Sequence, residues 1–328
     1  MTPLHWSSLG AATAMVAVVI GAALKQPVSD GAFAARASFA FAAPAAVPEN
    51  RTARTQSPTS APSPTPEELA LFETVSNGPD YDLGPILSGD AAVPRLTISR
   101  IPGFLPYVRE TAERKALFFK TLLPLVMQAN ENITRDRDRL HRLAQRKRDG
   151  ERLPAVDRLW LAVMADRYDV ARDDIAGMLK RHDVVPPSLA LAQAATESGW
   201  GTSRFALEGN AVFGQWTFTD SHDGIVPQDR QDGQSHRIRA FDSLYDSVYS
   251  YVINLNTHQA YREFRDMRAD MRRHGMRLDG LRLADTLHRY SERGADYVLD
   301  IQNIIQTNDL EQLDGARLSD AGPLRPYI

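Results

Sequence analysis

Apolar residues along this chain fall into three regimes. Leu9 to Leu24 is an almost unbroken run of small and apolar residues, Ala43 to Pro66 has few large ones, and from Ile101 onward they recur at helical spacing. The first run has the length of a signal-peptide core and is slightly short for a comfortable membrane span. No Lys or Arg precedes it, Lys25 follows, and Ala32-Phe33-Ala34 and Ala40-Phe41-Ala42 offer small-residue cleavage sites. The second stretch is rich in Pro, Ala, Ser and Thr. It cannot bury enough surface to fold and predicts an extended linker. Glu67 to Arg95 has a short helical pattern around Leu69, Leu71, Phe72 and Val75 and is otherwise expected to be loop.

Beyond Ile101 the helical period dominates. Glu110 to Ala129 predicts a helix that Pro124 should kink or divide, and Ile133 to Arg148 predicts a second one, dense in Arg. Leu153 to Tyr168 and Asp173 to Arg181 follow. Phe213 to Phe241 alternates aromatic, small and polar residues and predicts a small β-hairpin lobe. Helices are then expected over Ser243–Asn256, His258–His274, Leu281–Tyr290 and Ala295–Thr307. The resulting division is 1–24 signal peptide or anchor, 25–100 linker and loosely structured segment, 101–313 compact domain and 314–328 tail. The compact domain is expected to be mainly α with a small β element.

One helix stands out. Pro186-Pro187 restricts the entry to a run of Leu and Ala that ends at Glu197-Ser198-Gly199-Trp200. Proline is tolerated in a first helical turn, Ser188 is placed to help cap it, and Gly199 is free to adopt the left-handed conformation that ends a helix. A lone carboxylate thus sits in the last turn of an apolar element, beside an aromatic ring. Lost hydration and the negative end of the helix dipole both raise its pKa. A raised pKa suits a general acid near neutral pH.

Composition removes several alternatives. The net charge of -3 is too small to argue for nucleic acid. With no Cys there is neither a disulfide framework nor a thiolate zinc site. His182, His222, His236 and His274 are scattered without metal-ligand spacing, and no cofactor is expected.

The segment Ala194-Ala195-Thr196-Glu197-Ser198-Gly199-Trp200-Gly201-Thr202-Ser203-Arg204-Phe205-Ala206, with Gly209-Asn210 and Phe213-Gly214-Gln215-Trp216, resembles the Bax-type group of bacterial glucosaminidases. These belong with glycoside hydrolase family 73. Similarity continues through Ser235 to Arg268 and Tyr290 to Ile305, and reaches upstream to about Ile101. The resemblance implies a lysozyme-like fold and cleavage of peptidoglycan glycan strands after N-acetylglucosamine, with Glu197 as the acid. It also implies a second acid on the β lobe, for which Asp229 aligns best among Asp220, Asp223, Asp229 and Asp232. A late tyrosine near the acid falls on Tyr290 first and Tyr297 second. Asn254, Asn256 and His258 match the group's pattern as polar partners for sugar. Trp200 and Trp216 are expected to line the substrate, since sugars stack apolar ring faces on aromatics.

Two carboxyls about 5 Å apart would retain configuration, about 6.5–9.5 Å would invert it, and the substrate's own acetamido group is a third possibility. Two other functions remain open: a lytic transglycosylase, which needs one acid and leaves an anhydro sugar, and a wall-binding module without turnover. The apolar N-terminal run implies export, with the domain periplasmic, secreted or tethered to the inner membrane.

Overall fold

The computed structural model describes residues 81–218, 222–227 and 235–321, together with 66, 70 and 75. The N-terminal apolar run, the Pro-rich stretch as far as residue 65, and Asp220, Asp229 and Asp232 lie outside the described residues.

The expected division at Pro124 does not occur. Helix α2 runs unbroken through it from Thr111 to Arg148, after a short α1 at Leu83–Leu87. A proline lacks the N–H that would bond the carbonyl four residues back. Here the Lys120 carbonyl accepts instead from the hydroxyl of buried Tyr81, at 2.8 Å. The helix therefore keeps its packing without an orphaned polar group.

Tyr81, Ile86, Val93, Leu96 and Ile98 are buried in the same core as α2. Packed chain thus begins some way before Ile101, in a segment whose sequence predicts mostly loop. The other end is also held. Val93 pairs with Leu318 in a parallel bridge, and Asp314 is hydrogen-bonded to Ser188 and Gly280. The expected tail from residue 314 is therefore ordered as far as that bridge.

Helices α3 (Ala155–Tyr168) and α4 (Ile175–Arg181) pack with the C-terminal half of α2 around a smaller cluster that includes Leu140, Leu161, Met164 and Met178. The main core surrounds α5 (Pro187–Ser198), which lies against α2, α9 (Gly280–Ala284), α10 (Ala295–Thr307) and a 3-10 turn at Leu310–Gly315. Ten of the twelve residues of α5 are buried. Its Leu and Ala side chains allow such close approach on several sides.

After the short α6 (Arg204–Gly209), the expected hairpin is a three-stranded antiparallel sheet. Its order is β1 (Trp216–Thr217), β3 (Arg237–Arg239), β2 (Gly224–Ile225). Trp216 pairs with Ile238, which pairs with Ile225 on its other side. Helices α7 (Leu244–Thr257) and α8 (Arg262–Arg273) follow, separated by a 3-10 turn at Gln259–Tyr261. The architecture is mainly α with a small β lobe, consistent with a lysozyme-like domain. No described helix is long and apolar enough to cross a membrane.

Candidate active site

The site begins with how α5 is held at its two ends. Ser188 does not cap the start with its own oxygen. Its N–H and its hydroxyl both donate to the carboxyl of Asp314, at 2.9 and 2.8 Å, and the Gly280 N–H donates to the same group. An acid from the far end of the chain thus satisfies the helix N-terminus, where the dipole favours negative charge. At the other end Gly199 takes φ 57° and closes the helix. Trp200 and Gly201 continue in the left-handed region, turning the chain back on itself.

Glu197 sits in that last turn, and its Oε1 is shut off from solvent without a hydrogen bond of good geometry. Burial pushes its carboxyl up from 4.5 to about 7, against a hydrogen bond from Tyr297 and the charge of Arg293, which hold it down. The aromatic wall is built of tyrosines. The carboxyl interacts with Tyr251, Tyr261, Tyr290 and Tyr297. Tyr290 stacks on Tyr297 at 5.4 Å and lies tilted against Tyr261 at 5.7 Å. Tyr251 stacks on Phe213 at 3.9 Å. Gly214, at φ 59°, passes close to the acid, and a Cβ there would stand 3.4 Å from Oε2. Glycine at that position supplies the left-handed backbone angle.

Trp200, the expected wall, is instead engaged with α2. Its ring meets Phe118 and Phe119 edge-on, and the Lys115 ammonium lies 4.7 Å above it. Trp216 lies two residues beyond Gly214, stacked on His236 at 4.2 Å. Phe218 lies beside it and is half exposed. These rings form an aromatic ledge on the β lobe, along the strand that leaves the acid.

The other expected site residues are spread more widely. Asn256 is fully buried, donates to the Asp183 carbonyl and accepts from Arg268. Its amide is used in tying the loop before α5 to α7 and α8. Arg268 itself is buried and reaches the carbonyls of Arg181, Asp183 and Val184. Burial alone would raise the Asp183 carboxyl; Arg268, Arg272 and Arg137 hold it below its ordinary value. His258 caps the 3-10 turn, accepting from the Ala260 N–H through Nδ1. Burial and then Arg265 lower its pKa below the ordinary imidazole value. Asn254 is buried beside Tyr261, with neither amide atom in a hydrogen bond of good geometry. Asp223 is exposed and lines a cavity of about 530 Å³ between the sheet and α7, together with His222, Arg239, Asp242 and Asp246. Glu197 does not line that cavity. Among the described residues, no cluster of His, Asp and Glu could hold a metal ion.

Gln193 is the residue the pattern should have flagged. It is a fully buried amide on an otherwise Leu/Ala helix, one turn before Glu197 and on the same face. A buried polar group needs partners. It has two: Tyr251 donates to its Oε1 at 2.6 Å, and its Nε2 donates to the Tyr297 oxygen at 2.8 Å.

A fold of this class, with one buried acid at the end of a central helix, agrees with comparison to known proteins. The sequence model described as Mannosyl-glycoprotein endo-beta-N-acetylglucosaminidase (Glucosaminidase) matches residues 173–310. Protein bax of Escherichia coli (strain K12) is 32% identical over 205 residues, which cover 61% of this chain and 71% of that protein. No solved structure matches. The chain belongs to the Bax-type glucosaminidase family, and its class is that of a glycan hydrolase.

Proposed function

We propose that the protein is an endo-β-N-acetylglucosaminidase that hydrolyses the peptidoglycan glycan strand after N-acetylglucosamine, with Glu197 as general acid. The observation that carries this reading is the desolvated Glu197 carboxyl, raised from 4.5 to about 7, with the Gly214 backbone passing beside it. A group with that pKa is protonated often enough at neutral pH to donate, and acidic enough to give its proton to a departing glycosidic oxygen. Positive charge then develops at the sugar carbon, and water completes the hydrolysis. The Tyr290–Tyr297 stack borders the carboxyl on the side of α10. Asp229 or the substrate's acetamido group assists the water. The Trp216 and Phe218 ledge offers apolar faces on which a sugar ring stacks.

The test is digestion of purified sacculi followed by mass spectrometry of the soluble fragments. Reducing N-acetylglucosamine ends are expected from the parent, and Glu197→Gln should release none. An equally active variant refutes the assignment of the acid.

A second reading uses the same acid. Among the described residues, the groups pressing on the Glu197 charge are Tyr297 and Arg293; Asp220, Asp229 and Asp232 lie outside them. A lytic transglycosylase works with one acid, and anhydro-muramic ends in the same digest would identify it. Export is part of the proposal: the run at residues 9–24 directs the chain to the periplasm or holds it at the inner membrane, and the Pro-rich linker gives it reach. A reporter fused after residue 66 that is inactive in the periplasm refutes this.

A further inference from the structure

The general-acid reading accounts for Glu197 but leaves the buried Gln193 amide unexplained. The structure gives it a direction. The Tyr251 hydroxyl donates to Gln193 Oε1, Gln193 Nε2 donates to the Tyr297 oxygen, and the Tyr297 hydroxyl lies beside the Glu197 carboxyl, where it favours the charged form. All three residues behind the acid are essentially closed to solvent: Gln193 and Tyr251 at 0% exposure, Tyr297 at 1%.

An amide can be placed in two orientations, and they have opposite consequences. With the oxygen toward Tyr251, the nitrogen gives a proton to Tyr297, whose own proton is left for the carboxyl. With the amide reversed, Tyr297 must donate to the Gln193 oxygen and has nothing for Glu197. Tyr251 selects the first orientation by supplying a donor where the oxygen sits. The need arises after proton transfer. A neutral carboxyl can donate for itself, whereas a fresh carboxylate in this apolar setting needs a donor aimed at it.

We propose that Gln193 is a positioning residue: its amide, oriented by Tyr251, turns the Tyr297 hydroxyl proton toward Glu197, so that the carboxylate left by proton donation is met by a fixed donor. It acts through Tyr297 and does not touch substrate. The proposal rests on the reading of Glu197 as the acid, but its test does not depend on turnover.

Glu197 can be followed directly by carbon NMR in protein labelled at glutamate carboxyls, its signal assigned by its loss in Glu197→Gln. The parent midpoint is expected near 7. Tyr251→Phe keeps the ring stacked on Phe213 and frees the amide to reverse and take the Tyr297 proton, so the midpoint should rise by about one pH unit, the equivalent of one hydrogen bond to a charged group. Gln193→Met keeps the volume and removes both bonds but offers Tyr297 no competing acceptor, so it should raise the midpoint by no more than a few tenths and should cancel most of the rise when added to Tyr251→Phe. Tyr297→Phe should raise the midpoint as Tyr251→Phe does, and combining the two should produce no further rise. In active protein the alkaline limb of the pH–rate profile should follow the same shifts. The relay is overturned if Tyr251→Phe leaves the midpoint within a few tenths of the parent, if Gln193→Met alone raises it by a full unit, or if the Tyr251 and Tyr297 effects add. Normal shifts in a protein that digests no cell wall would instead sink the function and leave the relay standing.

Discussion

Replacing Glu197 with Gln should make the protein more stable above neutral pH while removing its activity. The carboxyl titrates near 4.5 in an unfolded chain and near 7 in the fold. Between those values the native state holds the proton and the unfolded state has released it, so stability falls as pH rises from 4.5 through 7. The gap of about 2.5 pH units, at about 1.4 kcal/mol each, amounts to about 3 kcal/mol by pH 8. Glutamine keeps the shape and carries no charge to desolvate, and its oxygen can still accept from Tyr297. Glu197→Gln should therefore match the parent at pH 4 and exceed it at pH 8. For a packed region of this size, about 3 kcal/mol is about 6–12 °C in Tm. The measurement is thermal unfolding of both proteins across pH 4–8.5, plotted as the difference between them so that other titrating groups cancel. A difference that stays flat with pH, or a variant less stable at pH 8, would show that the carboxyl is not held in its neutral form by burial. The trade is the expected one for a catalytic group kept in an unfavourable setting.

Asp314→Ala should cost about 2–3 kcal/mol at pH 5, because three donors at Ser188 and Gly280 lose their acceptor. Burial raises this carboxyl from 3.8 to about 6, so the parent's own stability from this group declines as pH rises from 3.8 through 6, and urea titrations at pH 4 and 7 check both statements. Tyr81→Phe should cost about 1–3 kcal/mol by removing the hydroxyl that donates to the Lys120 carbonyl. The loss should shrink in a Pro124→Ala background, where the new N–H can take that carbonyl; an undiminished loss there refutes the account of the unbroken helix. Trp216→Ala, if the ledge binds sugar, should raise KM for glycan about tenfold, equal to about 1.4 kcal/mol of lost stacking, with little change in kcat. A fall in kcat alone would assign Trp216 to another role.

The helices were legible because their apolar period is long and regular; Ala295–Thr307 is bounded as the pattern implies. What the pattern could not supply was long-range satisfaction of polar groups. Pro124 carries a local instruction to break, and the instruction is overridden by Tyr81, some forty residues away. Ser188 reads as a cap, yet the acceptor is Asp314 from the opposite end of the chain. The same limit applies to the site. Glu197 is visible as one carboxylate on an apolar helix, and the expected reason for its desolvation was the adjacent Trp200. The neighbours that interact with it are Tyr251, Tyr261, Tyr290 and Tyr297, from later segments that no local spacing brings together; the family resemblance alone pointed to Tyr290 and Tyr297. Gln193, one turn before the acid, lay within reach of the helical spacing itself.

The two ends of α5 explain why its charges lie where they do. A helix buried on nearly every side has no solvent face to carry an ionised group, so acids can approach it only at the termini. At the N-terminus the exposed N–H groups and the dipole welcome a carboxylate, and Asp314 still titrates high because burial outweighs three hydrogen bonds. At the C-terminus the dipole adds to burial, and a single donated bond from Tyr297 opposes them. The acid at the unfavourable end is therefore the one that stays proton-bearing near neutrality, and the small set of donors aimed at it decides how readily that proton leaves. Moving the carboxylate one turn back along α5, to 193, would place it against Tyr251 and Tyr297, closed to solvent on every side. The fold has an amide there instead, which can hold the tyrosines in place without competing for the proton.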